Sequence, residues 1–125
     1  GVTLTTTRIE NGQARDSRVE GVAVLQGMPS TLFAGIVLHE LGHVWLIAHQ
    51  ITNLPLWAEE GFCQLLSARY YAGLATPEAS YHATNIQKDT DPIYGEGFRR
   101  ILALSERLGF ARFVETLRTM KQLPR

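Results

Sequence analysis

Four prolines divide the 125-residue chain into segments with helical periodicity. Pro29, Pro55, Pro77 and Pro92 each stand just before such a segment. Proline is favoured in the first turn of a helix, where a backbone N–H is not needed. Asp91 would cap the segment that Pro92 opens. We expect helices over residues 30–49, 55–71, a short stretch from 77, 92–109 and 110–122.

The segment before the first proline predicts a β-hairpin. Residues 2–9 are rich in Thr and Val, residues 19–26 form a second apolar run, and Asn11-Gly12 between them is a strong turn signal. A chain of 125 residues has room for one modest core. We therefore predict one α+β domain over residues 1–125, mostly helical, with a short N-terminal hairpin joined by a ragged connection to four or five helices.

The composition argues against several classes of partner. Twelve acidic and twelve basic residues cancel, so neither nucleic acid nor an anionic membrane is an expected partner. No uncharged apolar stretch reaches the roughly 18 residues that a membrane span needs. Cys63 is the single cysteine, which excludes an internal disulfide and favours a reducing, cytoplasmic location. The chain begins at Gly1 without Met, and we expect it to be a fragment of a longer protein.

Residues 38–46, LHELGHVWL, put polar groups on an apolar segment. Apolar residues surround this helix and predict that it is largely buried, where unpaired polar groups are costly. His39 and His43 lie one helical turn apart, so both imidazoles can reach one metal ion. Glu40 points about 100° away from His39, beside the metal, where it can take a proton from an activated water. A lone histidine is more often a hydrogen-bonded core residue, but the complete H-E-x-x-H spacing favours a metal site.

The third ligand is expected from LWAEEGFCQ, residues 56–64. A catalytic zinc has three protein ligands and one open position. Gln64 shares a helix face with Glu60 and can hydrogen-bond a ligating imidazole, which favours Glu60 as the ligand. Glu59 remains the other candidate; if it is not the ligand it is a supporting residue, and it is expected to face Phe62 and Cys63. A plainer alternative is that both glutamates only interact with the helix dipole.

These residues carry a resemblance to a known family. The motifs HELGH, LWAEEGF and YGEGF resemble the gluzincin metallopeptidases. Longer stretches, including LPLWAEEGFCQLLS and DPIYGEGFRRILALSERLGF, are similar to the peptidase region of the DA-one family, LIM-linked and ubiquitin-responsive plant peptidases. The similarity runs over residues 19–124. This chain carries neither a cysteine-rich LIM module nor a ubiquitin-interacting helix.

The resemblance implies a zincin-like peptidase fold and a set of roles. Zn²⁺ would be held by His39, His43 and Glu60, with Glu40 as general base. Tyr94 would stabilise the oxyanion with its hydroxyl group. The implied substrate is a peptide or a protein, and a link to ubiquitin follows from the resemblance alone.

Two other functions stay open on the sequence. One is a zinc-stabilised protein-binding module that does not cleave; Glu40 and Tyr94 argue for the enzyme, because a structural site needs no base. The other is a metal-free helical interaction domain. His49 lies about 240° from His43 around the helix and is not expected to bind the metal. His49 and His82 are expected to be surface or satisfied core residues, and Cys63 is expected to be a small core residue.

Overall fold

The structure, a computed structural model, describes residues 1–25 and 27–125, without the side chains at positions 14 and 15. Within this part of the chain an antiparallel hairpin precedes five α-helices, which confirms the predicted α+β fold class. The elements are β1 (Val2–Glu10), β2 (Gln13–Ala23), α1 (Ser30–Ala48), α2 (Leu56–Leu74), α3 (Pro77–Lys88), α4 (Gly95–Leu108) and α5 (Phe110–Met120).

The hairpin is tighter than the sequence predicted. Asn11 and Gly12 have φ values of 53° and 76°, which suit a two-residue turn whose twist matches that of the strands. Strand β2 therefore begins at Gln13, directly after the turn, and ends at Ala23. The expected ragged connection and the start of the strand at Val19 were wrong, and Gln26, its expected end, lies outside the described residues.

Three of the helices begin close to the prolines that predicted their starts. Helix α1 follows Pro29, α2 follows Pro55, and Pro77 is the first residue of α3. The hydroxyl of Thr76 accepts a hydrogen bond from the Ala79 backbone N–H at 3.1 Å, which caps α3. Helix α3 continues to Lys88, so it is longer than the short segment that we expected.

The start of α4 was predicted too early. The Asp91 carboxylate accepts hydrogen bonds from the backbone N–H groups of Ile93 and Tyr94, both at 2.9 Å. These bonds shape a turn over residues 92–94, and the helix proper begins only at Gly95. A Cβ added at Gly95 would lie 2.0 Å from the Asp89 carbonyl oxygen, so the chain is packed tightly where the helix starts.

Helix α2 is the centre of the helical layer and packs against α1, α3 and α4. Glycines permit two of these approaches. A Cβ at Gly42 would lie 2.8 Å from Cys63 Sγ, and a Cβ at Gly61 would lie 2.4 Å from the Gly97 carbonyl oxygen. The absence of a side chain at Gly61 therefore allows α4 to pack closely against α2. The largest fully buried side chains are Leu46, Phe62, Cys63, Leu65, Ile101, Phe113 and Leu117.

Helix α1 is less buried than its composition predicted. Its buried residues are Gly35, Glu40, Gly42 and Leu46, while Phe33 and Leu41 are exposed. One side contacts α2 and another contacts the hairpin, which leaves an outer apolar face beside a groove shared with α5. By length and composition alone α1 passes as a membrane-spanning helix, with a mean hydropathy of 1.5. A helix packed within a protein core meets the same criterion.

Candidate metal centre

Two histidines of α1 meet one glutamate of α2. His39 Nε2 lies 2.9 Å from Glu60 Oε2, and His43 Nε2 lies 3.3 Å from Glu60 Oε1. The two imidazole rings are 5.2 Å apart between centroids. The side chains of all three residues are only 12–13% exposed. The helical spacing of four residues puts both rings over the same point of α2.

The far side of each imidazole is also occupied. Gln64 Oε1 lies 2.9 Å from His39 Nδ1, and Glu59 Oε1 lies 3.0 Å from His43 Nδ1. Each Nδ1 donates to its oxygen in the form of the imidazole that carries a proton on Nδ1. The contact between Gln64 and His39 is the one expected from the sequence. Glu59, which was expected to face Phe62 and Cys63, also contacts His43.

This arrangement favours a positive charge between the two helices. With the proton on Nδ1, a neutral imidazole turns the lone pair of Nε2 toward the Glu60 carboxylate, so acceptor faces acceptor at both histidines. Either an added proton or a cation must lie between them. A tetrahedral zinc ion with bonds of about 2.0–2.1 Å separates its donor atoms by about 3.3 Å. The two distances from the imidazoles to Glu60, 2.9 and 3.3 Å, are close to this spacing, so the three side chains could hold a divalent metal ion.

The pKa values of His43 and Glu60 indicate the same preference for positive charge in the absence of a metal ion. Burial alone lowers the pKa of His43, but hydrogen bonds with Cys63, Glu59 and Glu60 raise it to about 12. Burial alone raises the pKa of Glu60, whereas hydrogen bonds from both histidines lower it to about 2. Without a metal ion the pair is an imidazolium and a carboxylate, so a metal ion would have to displace a proton from His43.

Cys63 lies at the edge of this cluster, where the sequence predicted only a core residue. His39, His43 and Cys63 each place one ligand atom within 4.8 Å of the others, so these three residues could hold a metal ion. Cys63 is completely buried. Burial raises the pKa of its thiol to about 11, so the thiol is protonated at neutral pH. Cys63 therefore offers a protonated donor, whereas Glu60 offers an ionised one.

Glu40 is buried under the hairpin. It is 4% exposed and lines the same cleft as the histidines. The Thr3 hydroxyl of β1 donates a hydrogen bond to Glu40 Oε1 at 2.9 Å and lies 3.2 Å from the Glu40 backbone oxygen. Thr3 was not predicted, because a contact between residues 37 positions apart leaves no periodic signal in the sequence.

Tyr94 stands at the wall of the cleft beside His39. Their rings are 6.2 Å apart between centroids, and Tyr94 is 42% exposed. Burial and the Glu60 carboxylate raise the pKa of Tyr94, so its phenol keeps its proton at neutral pH. The cleft has a volume of about 770 Å³ and is bounded by the hairpin, α1, α2, α3 and Tyr94. A protonated phenol faces a space large enough for a short peptide segment.

The remaining histidines lie apart from the cluster. His49 packs on the ring of Trp45 with centroids 4.6 Å apart. His82 lines the cleft near Tyr71. Its Nε2 is buried without a hydrogen-bond partner, and the nearest carboxylate oxygen, on Glu78, is 3.8 Å away. The expectation of a surface or satisfied core residue was therefore wrong for His82.

A comparison with family models matches residues 2–80 to the DA1-like family, described as Protein DA1. The match covers the hairpin, α1 and α2, and thus the whole cluster, but it does not reach Tyr94.

Three curated plant proteins are similar to most of the chain. Protein DA1-related 2 of Arabidopsis thaliana is 28% identical over 88% of this chain and 27% of its own length. Protein DA1 of the same plant is 24% identical over 88% of this chain and 26% of its length. The LIM domain-containing protein HDR3 of Oryza sativa subsp. japonica is 26% identical over 88% of this chain and 29% of its length. The chain thus spans about a quarter of the length of these relatives. No solved structure matches it.

Proposed function

The chain belongs to the DA1-like family, and from the site that it carries we propose that it is a zinc-dependent peptidase of the gluzincin type. One observation carries the proposal. The Nε2 atoms of His39 and His43 converge on the two oxygens of Glu60, at 2.9 and 3.3 Å, with both Nδ1 atoms already engaged. Such a set of donors, oriented from behind by Gln64 and Glu59, is typical of a metal centre.

Glu60 is the proposed third ligand rather than Cys63. Each Glu60 oxygen faces one imidazole nitrogen, and the carboxylate is ionised at neutral pH because its pKa is lowered to about 2. Binding through Cys63 would first require removal of the proton from a buried thiol, whose pKa is raised to about 11. Removing this proton costs free energy, which lowers the affinity of a thiol site for a metal ion near neutral pH.

The proposed reaction is the hydrolysis of a peptide bond by water. A zinc ion held by His39, His43 and Glu60 would make water more acidic and polarise the carbonyl group of the substrate. Glu40 accepts a proton from the attacking water and later delivers it to the leaving amine. Tyr94 donates its phenol proton in a hydrogen bond to the carbonyl oxygen as negative charge grows there. No covalent intermediate with the protein is required.

The cleft supports a peptide or protein as substrate. Its volume of about 770 Å³ accommodates a short extended segment, and its walls mix threonines of the hairpin with apolar residues of α1. Among the described residues that line it are three glutamates, Glu40, Glu59 and Glu60, and neither lysine nor arginine.

A second candidate is a zinc-stabilised module that binds a protein partner without cleaving it. The observation that favours it is the burial of Glu40, which is only 4% exposed and bonded to Thr3. A base that stayed closed off from water could not accept its proton. Both candidates share the metal ligands and differ only in what Glu40 does.

Cleavage of a peptide library by the zinc-loaded chain and by Glu40→Gln separates the two candidates. The enzyme predicts cleavage by the wild type and a loss of about a thousandfold or more in Glu40→Gln, because general-base catalysis is removed. Zinc content should be equal in the two proteins. Glu106→Gln, an exposed position on α4, is the matched control and should cleave like the wild type. Bound zinc with no cleavage above background by any of the three would contradict the enzyme and leave the binding module.

A further inference from the structure

Strand β1 is exposed along its length except at one residue. Of the nine residues Val2–Glu10, only Thr3 is half-buried, and the others are exposed. The buried side of Thr3 faces Glu40, and its hydroxyl donates to Glu40 Oε1 at 2.9 Å. The backbone at Gly1 also lies against Glu40, because a Cβ there would be 3.0 Å from Glu40 Cγ and 3.1 Å from Ile36 Cγ2. The start of the hairpin is thus fitted to one carboxylate of α1.

The hydrogen bond from Thr3 is the only one that the Glu40 side chain makes among the described residues. A glutamate has three rotatable bonds, and a carboxylate without a fixed partner samples several orientations. Hydrogen bonds to an ionised acceptor are shorter and stronger than those between neutral groups. One donor at 2.9 Å therefore selects the orientation in which Oε1 points to the hairpin and the second oxygen is left for the cleft.

We propose that Thr3 is a positioning residue for Glu40, so that the hairpin holds the general base in its catalytic orientation. The proposal rests on the proposed function, in which Glu40 is the general base. Proton transfer depends steeply on the placement of the base, and an error of about 1 Å can reduce a rate by about a hundredfold. Thr3 touches neither substrate nor metal in this role and acts through Glu40 alone.

Threonine substitutions along the same strand provide the test. Thr3→Val removes the hydroxyl and keeps the shape of the side chain, and Thr3→Ser keeps the hydroxyl. Thr6→Val is the matched control, because the Thr6 hydroxyl donates to Glu20 at 2.8 Å on the exposed side of the hairpin, outside the cleft. Peptide cleavage by the zinc-loaded chain gives kcat and KM for each protein.

The positioning role predicts that Thr3→Val lowers kcat by about tenfold or more and changes KM by less than about twofold. Thr3→Ser should restore kcat to within about twofold of the wild type, and Thr6→Val should leave both constants unchanged. A purely structural role would instead predict wild-type kcat in Thr3→Val once the folded fraction is matched. Wild-type kcat in Thr3→Val, or an equal loss in Thr6→Val, would overturn the proposal.

A second measurement does not depend on activity. In the metal-free chain, Thr3→Val should lower the Tm by about 3 °C, since one hydrogen bond to a charged group is lost. In the Glu40→Ala background the same substitution should have at most about a third of that effect, because its partner is gone. Equal effects in both backgrounds would overturn the contact. An inactive wild-type chain would overturn the proposed function and with it this role of Thr3. An active wild type with an equally active Thr3→Val would overturn the role of Thr3 alone.

Discussion

The helix pair α1–α2 and the hairpin β1–β2 line the same cleft but are held in place in different ways. The helices meet through a backbone approach at Gly42 and Cys63, and their polar residues bond one another across the interface. The hairpin touches α1 and the turn after it through few polar contacts, chiefly Thr3 with Glu40 and Ser17 with Gln50. Most of its residues are exposed.

This difference separates two parts of the proposed chemistry. The ligand set lies in the rigid helical layer, where packing holds donor atoms to within small distances. The orientation of Glu40 depends on the hairpin, which buries little apolar surface and is expected to open at a lower free energy. A perturbation of the helices should therefore remove the metal site, and a perturbation of the hairpin should leave the metal in place and change only how the base is held.

The largest expected effect comes from loss of the metal. His39→Ala, or removal of zinc by a chelator, should lower the Tm by about 10 °C, because a ligand that binds only the folded chain stabilises it. His49→Ala, at the residue that follows α1, is the matched control, since His49 contacts Trp45. Calorimetry of both variants with and without zinc measures the effect. A chelator that leaves the Tm of the wild type unchanged would show that the helices do not hold a metal ion.

The second effect concerns the packing of α4 against α2, the helix that carries Glu60. A Cβ at Gly97 would lie 2.4 Å from the Trp57 carbonyl oxygen, so Gly97→Ala should push α4 away from α2 and lower the free energy of unfolding by about 2–3 kcal/mol. Gly73→Ala is the control, because nothing lies within 4 Å of its added Cβ. That change should raise the free energy of unfolding by about 0.5–1 kcal/mol through helix propensity. Urea unfolding that shows the same sign for both variants would contradict the tight approach of the two helices.

The third effect is a pH dependence of the metal-free chain. The lowered pKa of Glu60, about 2 against an ordinary 4.5, contributes stability that is present above pH 4.5 and lost as the pH falls toward 2. The raised pKa of His43, about 12 against 6.5, contributes stability that is fully present below pH 6.5 and lost as the pH rises toward 12. The contribution of this pair to the Tm should therefore be greatest between pH 4.5 and 6.5.

Zinc affinity should follow the opposite course on the alkaline side. A metal ion displaces the proton of His43, so binding should tighten by about tenfold per pH unit for each proton released. Titration calorimetry at pH 6, 7 and 8 in buffers of different ionisation enthalpy counts these protons. An affinity that does not change over this range would contradict the protonated state of His43 in the metal-free chain.

The smallest expected effect belongs to the hairpin. Gly12 has a φ of 76°, where any other L-residue is strained, so Gly12→Ala should destabilise the turn by about 1 kcal/mol. Gly21→Ala in β2 is the control, because its added Cβ meets only Leu4 at 4.0 Å. Amide hydrogen exchange should be faster in β1 of Gly12→Ala, with no change in α2. Faster exchange in α2 as well would mean that hairpin and helices open together.

What could be predicted from the sequence follows the same division. Helical periodicity predicted that His39 and His43 share a face and favoured Glu60 with Gln64 in support, and the structure brings these four side chains together. The role of each of these residues stays a prediction. Proline positions fixed the helix starts, except at α4, where Asp91 forms a turn before the helix.

What could not be predicted depends on which elements meet in three dimensions. Gly61 faces Gly97 of α4, and this partner could not be predicted, because a glycine indicates a close approach without identifying the neighbouring element. Glu59 was expected to face Phe62 and Cys63, and its contact with His43 could not be predicted, because a glutamate side chain has several rotamers and only the packing of the helices selects one. Thr3 gave no signal, since only the docking of the hairpin brings it to Glu40.

We propose that a metal ion lies between α1 and α2 on the donors of His39, His43 and Glu60, and the zinc content of two variants decides whether it does. Elemental mass spectrometry of the dialysed proteins should find about one zinc ion per chain in the wild type and in Cys63→Ser, and almost none in Glu60→Ala. Full zinc in Glu60→Ala together with its loss in Cys63→Ser would contradict this claim and assign the metal to His39, His43 and Cys63 instead.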